Sequence, residues 1–291
     1  MPAVQANGIT IEYEVRGEGE PLLLVMGLGG QLTDWPEGFV DLLAERYQVI
    51  LFDNRDSGLS TEFEWTPPPR WKAAISFLTR RRPKAGYLLD DMADDAAALL
   101  DALDVDAAHV VGMSMGGMIA QLMAVHHPHK VLSLASVMSN TGDQRRGLPS
   151  RQVMAAFARA KEPARDDAAQ ASVDSFRLFA GSSWDPEAHL QTATRSVARS
   201  WRPRGTERQA TAIAASGDRT ELLGRITAPT VVIHGLEDQL VKPDGGTATC
   251  SAIPGSRLLM FPDMGHDLPS TRWAEMLVAI AANAARAGVR V

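Results

Sequence analysis

Ser114 stands at the centre of Gly112-Met113-Ser114-Met115-Gly116, a G-x-S-x-G pattern. A strand-like apolar run, Ala107 to Met113, ends just before it, and a helix is predicted from Met115 to about His127. A serine on a strained strand-to-helix turn projects its hydroxyl from the sheet edge. Glycines two residues to either side remove side chains that would clash in so tight a turn. Such a hydroxyl becomes a useful nucleophile only with a base beside it. Seven histidines are available, at 109, 126, 127, 129, 189, 234 and 266. His266 follows Pro262-Asp263-Met264-Gly265, a loop between the last strand run and the last helix. An α/β sheet gathers its site in loops at the carboxyl ends of its strands. His234 ends a strand run and reads as structural. The base in turn needs an acid to orient it. Asp238, in Gly235-Leu236-Glu237-Asp238, leaves a buried strand in a sharp loop and gives the chain order Ser, Asp, His. Asp143, after the run Val131 to Val137, is its rival. The expected chemistry is acyl transfer to Ser114, with His266 moving the proton and Asp238 fixing the imidazole tautomer.

These residues need a scaffold, and the apolar pattern supplies one. Ile9, Ile11 and Tyr13 alternate with polar residues, the mark of a half-buried strand. A turn is predicted at Gly17 to Pro21. Leu22 to Met26, Val49 to Phe52 and Thr230 to Ile233 are continuous runs, as in parallel strands buried on both faces, and Arg257 to Met260 reads as another strand. Helices are predicted from Pro36 to Tyr47, over Ala73 to Leu78, from Leu88 to Leu103 and from about Ser270 to Ala285. The alternation argues for an α/β fold with a mostly parallel central sheet flanked by helices. Residues 140–215 hold no convincing strand, and Ser150 and Asp185-Pro186 read as helix starts. They are expected to form a helical cap, inserted after the sixth strand, over a core made of 1–139 and 216–291.

Composition narrows the alternatives. The 291 residues carry 29 basic and 35 acidic side chains, a net charge of −6, which argues against a nucleic-acid partner. Cys250 is the one cysteine, so neither an intrachain disulfide nor a cysteine zinc site is available. The most apolar stretch, Val110 to Val125, is too short and too glycine-rich to span a membrane. The first eight residues lack the regions of a secretory leader, so a cytoplasmic location is expected. Asp90, Asp91, Asp94 and Asp95 are expected on the exposed arc of their helix. His126, His127 and His129 resemble a metal cluster but are expected to lack nearby carboxylates. Arg80-Arg81-Arg82, in the irregular stretch 62–86, reads as a solvated loop or a partner for the acidic helix. No metal and no cofactor are expected.

On Gly112 to Gly116, Gly235 to Asp238 and Gly265-His266, the chain resembles the α/β-hydrolase superfamily over nearly its full length. Asp53-Asn54-Arg55-Asp56-Ser57-Gly58-Leu59-Ser60 is similar to the D-x-R-G-x-G-x-S turn of that family, with Asp56 where glycine is usual. Leu22 to Gly27, Trp35-Pro36 and Met264-Gly265-His266 with Leu268-Pro269-Ser270 look most like the aclacinomycin methylesterase and carboxylesterase branch. The resemblance places Leu28 and Met115 as backbone N–H donors to an oxyanion, after Met26-Gly27 where the family usually has His-Gly. It implies a serine esterase acting on a small-molecule ester, a methyl ester being one candidate. Lactone or carbon–carbon bond hydrolysis uses the same three residues, and a receptor-like binding protein of this fold is the alternative of another class. Met26, Gly27, Met113, Phe157, Phe179 and Trp184 are the candidate pocket residues, and they suggest a largely apolar substrate. The acyl preference and the oligomeric state are not legible.

Overall fold

A computed structural model describes residues 1–69, 79 and 81–288. Its centre is a sheet with eight strands among these residues: β1 (Ala3–Ala6), β2 (Ile9–Arg16), β3 (Glu20–Val25), β4 (Tyr47–Phe52), β5 (Ala108–Met113), β6 (Val131–Val137), β7 (Thr230–Gly235) and β8 (Arg257–Phe261). The order is β1-β2-β4-β3-β5-β6-β7-β8. The β1–β2 and β2–β4 pairs are antiparallel and every later pair is parallel. The continuous apolar runs follow from this burial. Leu23 and Val25 face one core with Ile50, Phe52 and Val110, while Leu22 and Leu24 face the other with Val49, Leu51 and Val111. Helices α2 (Leu89–Ala102) and α3 (Met115–His126) close the first core; α1 (Glu37–Ala44) and α10 (Trp273–Ala284) close the second.

The β5–α3 turn shows why its glycines cannot be replaced. A Cβ on Gly112 would lie 2.2 Å from the Gly116 carbonyl oxygen, and one on Gly116 would lie 1.9 Å from that of Val25. Both obstacles are backbone, so α3 would have to lift from the sheet. Gly116→Ala is therefore expected to destabilise the fold by about 3 kcal/mol, read as a lowered midpoint in urea unfolding followed by circular dichroism.

Between β6 and β7 the described residues form no strand. They form α4 (Arg151–Arg159), α5 (Ala168–Phe176), α6 (Pro186–Arg199), α7 (Pro203–Ser216) and the short α8 (Thr220–Leu223). Ser150 Oγ accepts from Val153 N, and Asp185 Oδ1 accepts from Glu187 N and Ala188 N, so both predicted helix starts are capped. This block meets loops that leave the carboxyl ends of strands. Arg199 donates to Asp53 Oδ2 at 2.7 Å, just past β4. Ser150 N donates to Gln239 O past β7, and Gly181 N to Asp267 Oδ1 past β8. Arg208 donates to Asp56 Oδ1 at 2.9 Å, and Tyr87 Oη donates to the other oxygen of that carboxylate.

Several local expectations change. The helix expected to reach Tyr47 ends at Ala44, because Tyr47 opens β4. The predicted turn at Gly17 to Pro21 is shortened by β3, which begins at Glu20. β1 and α9 (Pro243–Ala252) were not anticipated. Asp95 is buried rather than exposed, held by two 2.6 Å hydrogen bonds from Arg55. The histidines that close α3 do have carboxylates nearby: His126 pairs with Asp90 at 3.1 Å and His127 with Asp94 at 2.7 Å. Among the described residues no set of three or more such groups could hold a metal ion. Arg81 and Arg82 are exposed, the latter lying against Gly217. Arg80 and the helix predicted over Ala73 to Leu78 lie outside the described residues. No helix among the described residues is long and apolar enough to cross a membrane.

Candidate active site

Ser114 occupies the turn between β5 and α3 with φ 55° and ψ −119°, a conformation rare for a residue with a Cβ. Its N–H is held by Val137 O at 2.9 Å, and its carbonyl accepts from Gly117 N and Met118 N. The turn is thus fixed from the neighbouring strand and from its own helix, and the hydroxyl is left to point elsewhere. It meets His266, whose Nε2 lies 2.9 Å from Ser114 Oγ. The opposite ring nitrogen, Nδ1, lies 2.7 Å from Asp238 Oδ2. A carboxylate oxygen can only accept, so Nδ1 carries the proton and the Nε2 lone pair faces the serine hydroxyl.

Each partner is itself held. Asp238 is fully buried, and its second oxygen accepts from Leu240 N at 2.9 Å and Val241 N at 2.8 Å. These amides and the imidazole together satisfy a carboxylate removed from water. His266 N donates to Phe179 O at 2.8 Å, tying the histidine loop to the segment after α5. Asp267 Oδ1 bridges Gly181 N and Gly265 N across the same seam, and burial pushes its carboxyl above the ordinary range. Sequence reasoning overlooked this bridge, although an acid directly after the histidine was the available signal. It also overlooked how close His234 comes. That imidazole is fully buried, its Nε2–H donates to Val241 O at 2.7 Å, and the same nitrogen lies 3.6 Å from Asp238 Oδ2. Burial holds His234 below the ordinary histidine value.

Met26-Gly27-Leu28 runs alongside the serine turn. A Cβ on Gly27 would lie 3.2 Å from Ser114 Cβ and 3.3 Å from Met113 O, so any larger residue would press on the turn. Asn54 Nδ2 donates to Met26 O at 3.0 Å and pins the start of the loop. Neither Leu28 N nor Met115 N donates to an acceptor among the described residues.

The remaining candidates divide. The Phe179 ring is buried and stands edge-on to His266, with centroids 5.9 Å apart. Phe157 packs against Phe179 at 6.2 Å and is itself exposed, as is Leu28. Trp184 lies one layer further out, against Phe176 and His189. Met26 and Met115 are buried in the two cores, and Met113 is partly buried against the second. Asp143 Oδ1 accepts from Arg145 N, and the carboxylate on His266 Nδ1 is that of Asp238.

The chain matches the alpha/beta hydrolase fold family over residues 20–271. Rhodomycin D methylesterase DauP of Streptomyces sp. (strain C5) is 28% identical to it, over 92% of each chain. Among solved structures, Est816, described as an N-acyl homoserine lactone degrading enzyme, superposes with a TM-score of 0.72 at 27% identity, over 96% of this chain and 99% of that one. The enol-lactonase from Burkholderia xenovorans LB400 superposes with a TM-score of 0.73, over 97% of this chain and all of its own. At 19% identity, that likeness concerns the fold alone.

Proposed function

The chain belongs to the α/β-hydrolase fold family, and from that premise we propose that it is a serine hydrolase cleaving a carboxylic ester of a largely apolar acid. The observation that carries this reading is the unbroken relay from Ser114 Oγ through both nitrogens of His266 to the buried Asp238. Ser114 Oγ attacks the ester carbonyl carbon while its proton passes to His266 Nε2. The carbonyl oxygen becomes an anion facing Leu28 N–H and Met115 N–H, the latter at the positive end of α3. The carbon–oxygen bond to the alcohol then breaks, and His266 returns the proton to the departing alkoxide. Water repeats the sequence with His266 as base, which releases the acid and restores the serine. Asp238 stabilises the imidazolium in both halves.

The apolar preference rests on Phe179 beside His266 and on the exposed Phe157 and Leu28. We take 140–215 as a cap, because many of its contacts fall on loops at the carboxyl ends of the strands, where Ser114, Asp238 and His266 also lie. Likeness to a methylesterase brings methyl esters into the test set. Likeness to a lactone-degrading enzyme at 27% identity favours one second reading, hydrolysis of a lactone by the same relay. The test is turnover of p-nitrophenyl esters from acetate to decanoate, of methyl esters of aromatic acids, and of N-acyl homoserine lactones. Turnover of the aryl or methyl esters, rising with acyl length, is the expected result. Lactone turnover alone would favour the second reading, and binding without turnover of any member would contradict both.

A further inference from the structure

The loop after β3 is held from outside the sheet. Gln209, fully buried on α7, accepts from Gly29 N at 2.7 Å through Oε1 and donates to Arg55 O at 2.7 Å through Nε2. Thr206, one turn earlier on the same helical face, closes on the same glycine. Gly29 has φ +70°, and a Cβ there would lie 2.7 Å from Thr206 Oγ1. The amides that follow are also engaged: Gly30 N with Gly27 O, Gln31 N with Asp34 Oδ2, and Leu32 N with Asp53 Oδ1. Leu28 N, immediately before Gly29, is left free, in a segment whose Gly27 lies against Ser114. The peptide unit next to the free amide is therefore anchored by a side chain of α7. A buried amide side chain is costly unless both its ends are bonded, and Gln209 has both ends on loops that surround the site.

We propose that Gln209 is a positioning residue for acyl transfer at Ser114. It fixes the Leu28–Gly29 peptide so that the Leu28 N–H meets the carbonyl oxygen as that oxygen becomes charged. The seating of α7 and the stabilisation of the tetrahedral intermediate are then one property. This rests on the serine-hydrolase reading above. An apolar side chain of equal length would leave Gly29 N without its acceptor and let the loop drift, and small displacements of a catalytic group are expensive in rate.

The test compares wild type with Gln209→Met, which has no amide, and Gln209→Glu, whose carboxyl, buried and so favoured in its neutral form, can still accept from Gly29 N and donate to Arg55 O. Two quantities are read: kcat and KM on p-nitrophenyl butyrate, and the Ki of phenylboronic acid, whose boron bonds Ser114 Oγ to give a tetrahedral anion. For Gln209→Met, kcat is expected to fall roughly 10- to 100-fold with KM changed less than about threefold, and Ki to rise by a similar factor to the fall in kcat. Gln209→Glu is expected to stay within about fivefold of wild type on both readouts. Wild-type kcat in Gln209→Met, or a fall in its kcat with unchanged boronate Ki, would overturn the proposal while leaving the serine reading intact. Failure of wild type to bind boronate and to turn over ester would overturn both. If Gln209→Met is not recovered folded, Gln209→Glu decides: retained kcat and Ki support the proposal, and a loss beyond about tenfold overturns it.

Discussion

Ser114→Ala is expected to lower kcat on the best p-nitrophenyl ester by about 10⁴- to 10⁶-fold, with KM nearly unchanged. The size follows from the role. Without Oγ there is no acyl-enzyme, and only binding and the two free amides remain to assist water. Stability should hardly move, since the hydroxyl's one hydrogen-bond partner among the described residues is His266 Nε2, and alanine keeps the Cβ that already tolerates φ 55°. A thermal melt beside the kinetics separates the two effects. A variant that melts like wild type and retains a tenth of its rate would remove Ser114 from the chemistry.

Asp238→Asn is expected to lower kcat by about 10⁴-fold, while Asp143→Asn stays near wild type. The carboxylate accepts on both sides, from His266 Nδ1–H and from Leu240 N and Val241 N. An amide has one accepting oxygen. If that oxygen stays with the two backbone amides, its NH₂ faces His266 Nδ1 and forces the proton to Nε2. There it would point at Ser114 and could not receive the serine proton. If the amide turns over, its NH₂ opposes Leu240 N–H and Val241 N–H and the loop is disturbed. Steady-state kinetics on the two variants decide between Asp238 and its rival. A large loss in Asp143→Asn with little loss in Asp238→Asn would reverse the assignment.

Much of this arrangement was legible because the chemistry leaves short-range marks. The β5–α3 turn needs glycine at 112 and 116, since backbone occupies the space of both Cβ atoms. That requirement writes a local motif around Ser114. Strands buried on both faces leave continuous apolar runs, which is why β3, β4 and β7 stand out. β1 does not stand out, because a four-residue edge strand with one buried side chain carries almost no pattern. α9 was hidden by Gly245 and Gly246, which argue against a helix. A Cβ on Gly246 would lie 2.5 Å from His234 Nδ1, so packing overrides propensity there. Asp95 falls among acids that are half-buried or exposed, and its contacts with Arg55 and Asn7, both distant in sequence, distinguish it. Gln209 carries no local mark at all. A glutamine on a helix reads as surface, and its place at Gly29 and Arg55 is created by the docking of a segment far along the chain.

The central claim is a covalent intermediate on Ser114, and intact-mass spectrometry tests it most directly. The protein is mixed with excess p-nitrophenyl butyrate, quenched in acid within milliseconds and weighed, then digested to locate the adduct. The account predicts a mass increase of one butyryl group, confined to the peptide containing Ser114 and absent from Ser114→Ala. Butyryl transfer to another residue, or steady hydrolysis at the same rate in wild type and Ser114→Ala, would contradict it.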